Sequence, residues 1–143
     1  MLRRSVLAVL IGLPLLLPAP SVLAQEAAAQ EEEVPRFMAV LQYKVPYTTM
    51  ARMGEMFDMT APVWDEVMAE GKIAGWGVLT HMWGDEWNYL FWVLAMDHAS
   101  FVTAWDEATD RAAERFPDAM AEWRELFTEH RDNFYYVRTL RRP

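Results

Sequence analysis

Residues 73–97, IAGWGVLTHMWGDEWNYLFWVLAMD, decide the fold of this chain. The stretch holds four of the seven tryptophans and consists of two β-rich runs separated by Gly84-Asp85, a dipeptide typical of a two-residue hairpin turn. We therefore predict an antiparallel hairpin. With this loop, the opposed residues are His81 and Asn88, Leu79 and Leu90, and Gly77 and Trp92.

The chain before the hairpin predicts one strand and one helix. Residues 36–45, RFMAVLQYKV, form a β-rich run between two prolines. Residues 48–70 instead repeat apolar positions every three or four residues, which predicts an amphipathic helix that ends at Gly71. Pro62 interrupts this pattern with Thr60 as a suitable N-cap, so we expect a kink or two abutting helices. The predicted buried stripe comprises Met53, Met56, Phe57, Thr60, Val63, Trp64 and Val67.

The chain after the hairpin predicts a second helix and a final strand. Asp97 is a suitable cap for a helix that breaks and restarts at Pro117-Asp118. Its second piece carries His130 near its end, and residues 133–140, NFYYVRTL, return to strand character. The buried stripe is expected at Phe101, Ala104, Trp105, Ala108, Ala112 and Phe116, continued by Met120, Trp123 and Phe127.

The resulting order is strand, helix, strand, strand, helix, strand. It predicts an α+β fold, a ferredoxin-like βαββαβ sandwich whose antiparallel sheet has helices on one face. Both faces of the hairpin are nevertheless apolar, whereas a sheet face in water should be polar. A bare apolar face marks an interface, and we expect a homodimer that packs sheet on sheet, with a cover from the same chain as the alternative. A charge at Val78 or Phe91 tests whether their face is that interface.

The first 24 residues have the pattern of a secretory signal peptide, with a basic start, a short apolar stretch and a small-residue exit at Ala24. An uncleaved anchor is the alternative, but the apolar stretch is shorter than the roughly 20 residues that a membrane span needs. We expect cleavage near Ala24, a disordered acidic linker over 25–34, a folded domain over 35–143, and a periplasmic or secreted protein. No cysteine is present, so the domain folds without disulfides.

The charge of the chain excludes some partners. Cleavage would remove Arg3 and Arg4 from the 13 basic residues and none of the 21 acidic ones, so the net charge would move from −8 to −10. Nucleic acid and anionic lipid are poor partners for such an acidic domain, and no stable membrane anchor is expected in the mature chain.

The candidate chemistry lies in a few polar residues among aromatic ones. His81 and Asn88 are predicted cross-strand neighbours, which makes them the candidate catalytic pair. Trp92 faces Gly77, where the missing side chain leaves room, and Trp64 can approach from the first helix. A polar pair beside an indole and a gap suits a small pocket for an apolar or aromatic molecule. The alternative is a hydrogen-bonded structural pair at the end of the hairpin.

Other site types have little support. His81, His98 and His130 lack the HExxH spacing of a zinc site, and we predict no metal. Each of them can supply an axial ligand to haem, although no CxxCH attachment motif is present. His130 is expected at a helix C-terminus beside Asp132, where the helix dipole would favour its charged form. No cysteine nucleophile, GxSxG elbow or phosphate loop occurs.

Residues 36–140 resemble the dimeric α/β-barrel superfamily. The resemblance rests on the element order, the Gly75-Trp76-Gly77 opening of the second strand, the GDEWN sequence at 84–88 and the HRDN sequence at 130–133. The superfamily includes cofactor-free monooxygenases that act on polycyclic aromatics and haem-dependent enzymes, beside members of no known activity. The resemblance implies the fold more strongly than the chemistry. It leaves two functions open, namely a dimer that binds a small apolar or aromatic ligand and a monooxygenase-like enzyme, cofactor-free or haem-dependent.

Overall fold

A computed structural model describes residues 34–81 and 86–140. The strands are β1 (Phe37–Lys44), β2 (Gly75–Thr80), β3 (Tyr89–Ala95) and β4 (Glu129–Tyr136). The helices are α1 (Met50–Ala69), α2 (His98–Arg115) and α3 (Pro117–Glu122), and a 3₁₀ turn follows over Trp123–Glu125. Within the described residues, no helix is both long and apolar enough to span a bilayer. The predicted signal peptide, most of the linker and the hairpin tip at 82–85 lie outside the described residues.

The four strands form one antiparallel sheet in the order β2-β3-β1-β4. This order and the helices on one face confirm the predicted ferredoxin-like fold. The hairpin register is also as predicted, because Leu79 pairs with Leu90 and Gly77 with Trp92. The His81 N–H donates to the Asn88 carbonyl at 3.1 Å, which extends the ladder one step beyond β2.

The core lies between the sheet and the helices. Alternate residues of β1 and β3 face α1 and α2, since side chains of a strand alternate between its two faces. The buried stripe of α1 consists of the seven residues predicted from the helical period. The helix ends as predicted, because Gly71 takes φ +75° and the Lys72 N–H donates to the Val67 carbonyl. Asp97 caps α2, with Oδ1 accepting from the Ser100 N–H at 2.7 Å.

Of the two outcomes expected at Pro62, two abutting helices is wrong, since α1 is a single helix of 20 residues with Pro62 inside. Pro62 is exposed, so the carbonyl that loses its partner can be hydrated. Thr60 is not an N-cap. It is buried in the middle of the helix, where its hydroxyl donates to the Met56 carbonyl at 3.0 Å.

The predicted placement of His130 at a helix C-terminus is also wrong. The α3 helix and the 3₁₀ turn end by Glu125, and β4 begins at Glu129. His130 therefore pairs with Tyr43 of β1 and Asp132 pairs with Leu41. The sheet pairing with β1 overrides the apolar spacing that suggested a longer helix, and both side chains lie on the side of the sheet that faces the helices.

Val78 and Phe91 do not lie on an outer face of the sheet. Phe91 is only 2% exposed, and its ring contacts Phe57 and Trp64 of α1 and Trp105 of α2. The sequence left open which face of the sheet is an interface, and the face of Val78 and Phe91 is the one that the helices cover. The opposite face carries no helix, and we call it the open face. Its apolar members are Met38, Val40, Leu79, Leu90, Trp92, Leu94 and Tyr135.

Candidate functional site

A cavity of about 340 Å³ lies between the sheet and the helices. The sheet contributes Tyr43 and Phe91, while α1 and α2 form the two long walls. The α3 helix and the 3₁₀ turn close one end. The volume falls in the range of small-molecule sites. We call it the helix-side cavity; its lining residues are Tyr43, Phe57, Thr60, Trp64, Phe91, Trp105, Ala108, Thr109, Ala112, Met120, Ala121, Trp123 and Arg124.

Aromatic rings dominate the wall of this cavity. Trp64 packs against Phe91 at 4.8 Å between ring centroids and against Trp105 at 5.5 Å. Trp123 stands nearly perpendicular to Phe57 at 5.3 Å and to Tyr43 at 5.6 Å. Edge-to-face and tilted contacts of this kind hold rings in fixed orientations. The small side chains of α2 leave the space between these rings unfilled, so a flat apolar molecule fits the wall chemistry.

Tyr43 supplies a hydroxyl to the same wall. The side chain is 3% exposed, yet none of the described residues hydrogen-bonds to its phenol oxygen. No buried side-chain oxygen or nitrogen in the described part lacks a partner, so the oxygen must reach open space. Burial and, secondarily, the negative charge of Asp132 raise the pKa of Tyr43. The phenol therefore stays protonated at neutral pH and can donate a hydrogen bond to a ligand.

Three indole N–H groups and one guanidinium add further donors. Trp64, Trp105 and Trp123 find no acceptor for their indole N–H among the described residues. Arg124, the charged residue of the lining, forms no ion pair or side-chain hydrogen bond with them either. Thr60 and Thr109 direct their hydroxyls to carbonyls of their own helices. The lining residues thus carry hydrogen-bond donors that no described residue uses.

A second, more open cavity of about 440 Å³ lies between α1 and the edge strand β2. Asp58 and Tyr89 are among its lining residues, with Trp76 and Gly77 from the strand. The Trp76 indole N–H already donates to Asp65 Oδ1 at 3.0 Å, and the Tyr89 hydroxyl lies 3.4 Å from the Met50 carbonyl. This cavity has fewer aromatic rings and more solvent contact, so the helix-side cavity is the better candidate site.

Asn88 and His81, the predicted catalytic pair, lie at the loop end of the hairpin and line neither cavity. The Asn88 side chain accepts from the Val45 N–H and donates to the Val45 carbonyl, both at 2.8 Å. It therefore mimics one residue of a strand and ties β3 to the end of β1. His81 is exposed at the end of β2. Their catalytic roles stay a prediction. The contacts of Asn88 described above are with the backbone of Val45 and give no evidence of a bound ligand.

The three predicted ligand-binding residues are not brought together. Trp64 lines the helix-side cavity and Gly77 lines the second cavity. Trp92 lies on the open face, and its indole covers Gly77. A Cβ added to Gly77 would come within 2.8 Å of that ring. The room expected at Gly77 is therefore filled by Trp92 itself.

Sequence reasoning missed most of the cavity wall. Phe57, Trp105 and Trp123 were predicted as members of buried stripes; Phe57 is buried, whereas Trp105 and Trp123 are partly buried against the core. A stripe does not show where packing between two helices leaves a gap. The signal that could have found the gap is the small-residue run Ala104, Ala108, Ala112 of α2, of which Ala108 and Ala112 line the cavity with Phe57 and Trp64.

No group of three or more metal-ligating side chains occurs among residues 34–81 and 86–140. The histidines of this part are also apart from the helix-side cavity, since none of them lines it. The described residues therefore offer the cavity no imidazole for an axial haem ligand.

The comparisons with known proteins concern the fold. No protein-family model matches the chain, and no curated protein matches it significantly in sequence. A dimeric ferredoxin-like protein from an uncultured marine organism is similar in structure, with TM-score 0.62 and 9% identity over 78% of this chain and 95% of that one.

Two further structures are similar at lower scores. One is a mutant of SnoaB, a cofactor-independent oxygenase from Streptomyces nogalater, with TM-score 0.52 and 17% identity over 75% of this chain and 97% of that one. The other is a conserved protein from Methanosarcina mazei Go1, with TM-score 0.50 and 13% identity over 72% and 93% of the two chains. These similarities confirm the ferredoxin-like fold.

Proposed function

We propose that this protein binds a small aromatic molecule in the helix-side cavity. The observation that supports this most directly is a partly open cavity of about 340 Å³ with six aromatic side chains in its wall. Rings contribute apolar area and fixed contact geometry, which together favour a planar ligand. The donors of Tyr43, Trp64, Trp105 and Trp123 would orient such a ligand through its oxygen atoms.

Isothermal titration with 1-naphthamide, a neutral planar probe, tests this proposal. Ala121 lines the cavity from α3 and is an exposed residue, so Ala121→Phe should fill the space without disturbing the core. Ala113→Phe is the matched control, because Ala113 is exposed on α2 and does not line the cavity. We expect the wild type and the control to bind the probe, and Ala121→Phe to bind it at least about tenfold more weakly. Equal binding by all three proteins would refute the proposal.

A monooxygenase-like activity at the same cavity is the second candidate. The protonated Tyr43 phenol in the wall favours it, since a donor there can stabilise negative charge that develops on a substrate oxygen. One of the similar folds is that of a cofactor-independent oxygenase. In the reaction considered, O₂ converts an activated CH₂ between two rings to a carbonyl, and the second oxygen atom leaves as water with both hydrogens.

Oxygen uptake with anthrone, whose CH₂ lies between two rings, tests this second candidate. We expect enzyme-dependent uptake with anthraquinone as product, lost in Tyr43→Phe. If the wild type takes up oxygen no faster than the Ala121→Phe variant or buffer, the oxygenase activity is refuted and ligand binding remains the proposed function.

The homodimer is also part of the proposal. The open face supports it, since Leu79 is 55% exposed and Tyr135 is 49% exposed beside the partly buried Trp92. A protein of similar fold is described as dimeric. A second copy of this chain packed on the open face would cover both apolar surfaces at once, and C2 symmetry allows the same residues to serve both copies.

Export is the last part of the proposal, and the pattern of residues 1–24 supports it. Expression in a bacterial host with a secretion system, followed by mass measurement of the intact protein, would show whether the chain begins at Gln25. A mature protein that retains Met1–Ala24 would refute cleavage.

A further inference from the structure

We infer that the ligand of the helix-side cavity is an aromatic carboxylate, with its rings among the aromatic side chains and its carboxylate at Arg124. This inference rests on the proposed function and specifies its ligand class. Arg124 is the charged residue of the lining, and no Asp or Glu lines the cavity. The chain has 21 acidic and 13 basic residues, so the charge of this lining is opposite in sign to the net charge of the protein.

Arg124 differs from the other cations near the helices because it has no protein partner in the described part of the chain. Arg52 makes a bidentate contact with Glu122, and Arg111 and Arg115 do so with Glu70 and Glu66. Lys72 bridges Glu70 and Glu107. Arg124 is an exposed residue of the lining, and it is therefore the cation there whose fork of donors remains available to a carboxylate.

The remaining polar groups of the wall point to the same chemistry. The phenol O–H of Tyr43 and the indole N–H groups of Trp64, Trp105 and Trp123 are donors that no described residue satisfies. Ligand oxygens would satisfy them, whereas a ligand rich in N–H or O–H groups would find few acceptors. A cationic ligand such as an amine would also be repelled by the positive charge of Arg124.

The surroundings of the cavity favour a ligand with a single negative charge. One guanidinium balances one negative charge, and the acidic surface of the chain opposes the approach of a multiply charged anion such as a phosphate monoester. The apolar wall likewise opposes burial of a second charge. A singly charged carboxylate on a planar ring system satisfies these conditions together.

A comparison of 1-naphthoate with 1-naphthamide tests this inference, because the two compounds share their rings and differ in charge. By titration calorimetry we expect the wild type to bind the carboxylate about tenfold more tightly than the amide. Arg124→Gln should remove this preference, so that the two compounds bind equally. Arg36→Gln is the matched control: it changes the charge equally, at an exposed residue that does not line the cavity, and should keep the preference.

The outcomes distinguish the carboxylate inference from the proposed function. No preference in the wild type, with the amide still bound, would overturn the carboxylate inference and leave the proposed function. Loss of the preference in Arg36→Gln to the same extent would also overturn it, because the effect would then come from net charge alone. Failure of both compounds to bind the wild type would overturn both proposals. Arg124→Lys keeps the charge but not the fork, so it should retain part of the preference. It serves as the test variant if the fold of Arg124→Gln is impaired.

Discussion

The side chain of Asn88 makes the hydrogen bonds that a backbone peptide group makes in a β-sheet. Its amide offers an acceptor to the Val45 N–H and a donor to the Val45 carbonyl, which are the two groups that a further residue of β3 would have paired. Val45 is 4% exposed, so its polar groups are not freely hydrated. A buried backbone pair without partners is costly, which gives Asn88 a structural role independent of any ligand.

Asn88→Ala should lower the free energy of unfolding by about 1–3 kcal/mol, because two hydrogen bonds to a shielded backbone are lost. Urea denaturation measures this change. His81→Ala, at an exposed residue of the same hairpin end, is the comparison and should cost less. Unchanged stability together with lost ligand binding in Asn88→Ala would instead support the catalytic role predicted from the sequence.

Gly77 and Gly75 provide a matched pair on β2. A Cβ at Gly77 would lie 2.8 Å from three atoms of the Trp92 indole, whereas at Gly75 it would lie 3.5 Å from that ring. We therefore expect Gly77→Ala to destabilise the fold by about 1–3 kcal/mol through displacement of Trp92. Gly75→Ala should be tolerated. Equal thermal midpoints for the two variants would show that Trp92 does not pack closely on Gly77.

At the scale of elements, α1 and α2 are joined by a network of ion pairs outside the core. Arg111 contacts Glu70 and Glu107, and Arg115 contacts Glu66. The hydrogen bond from Arg111, then that from Lys72, lowers the pKa of Glu70 from 4.5 to about 2. The Lys72 and Arg111 contacts likewise lower the pKa of Glu107. These pairs are partly exposed, so each contributes modestly and salt weakens it.

The sign of the pH dependence follows from these lowered pKa values. The stabilising contribution is complete above the unfolded value of about 4.5 and is lost as the pH falls from there to about 2. We expect the thermal midpoint to fall over this window, with a smaller fall in Glu70→Gln. Asp110→Asn on α2 serves as the control and should keep the wild-type profile. A midpoint that does not change below pH 4.5 would contradict a stabilising role of the network.

Most helices and strands could be predicted from the sequence, and the predictions that were wrong have physical causes. Periodicity identified the full buried stripe of α1 because burial of a helix face needs only a local pattern. Thr60 was wrongly predicted as an N-cap, because the sequence does not distinguish a threonine that caps a helix from one whose hydroxyl donates to a carbonyl within the helix. His130 was misread because the pairing of β4 with β1 joins residues about 90 positions apart, which no local pattern can show.

At the scale of the whole molecule, the sheet has one covered and one open face. The sequence showed that both faces of the hairpin are apolar but not which one the helices cover, since alternation is symmetric in the two faces. The placement of Phe57, Trp64 and Trp105 around Phe91 decides it. The cavity was equally beyond the sequence, because it arises where three helices and the sheet fail to meet.

Leu90→Glu should dissociate the proposed dimer and leave each copy folded, because Leu90 lies on the open face between β1 and β2. Sedimentation velocity measures the mass. Val102→Glu is the control, since Val102 is a 40% exposed apolar residue on α2, on the other side of the molecule. A Leu90→Glu variant that sediments like the wild-type dimer would exclude the open face as the interface.

The structure of the protein crystallised with 1-naphthamide is the most direct measurement of the central claim, that the helix-side cavity is the ligand site. We predict one molecule with its rings between Trp64, Trp105 and Trp123 and its carbonyl oxygen within hydrogen-bond distance of a donor of the wall. An empty cavity with the compound bound on the open face or in the second cavity would contradict the claim.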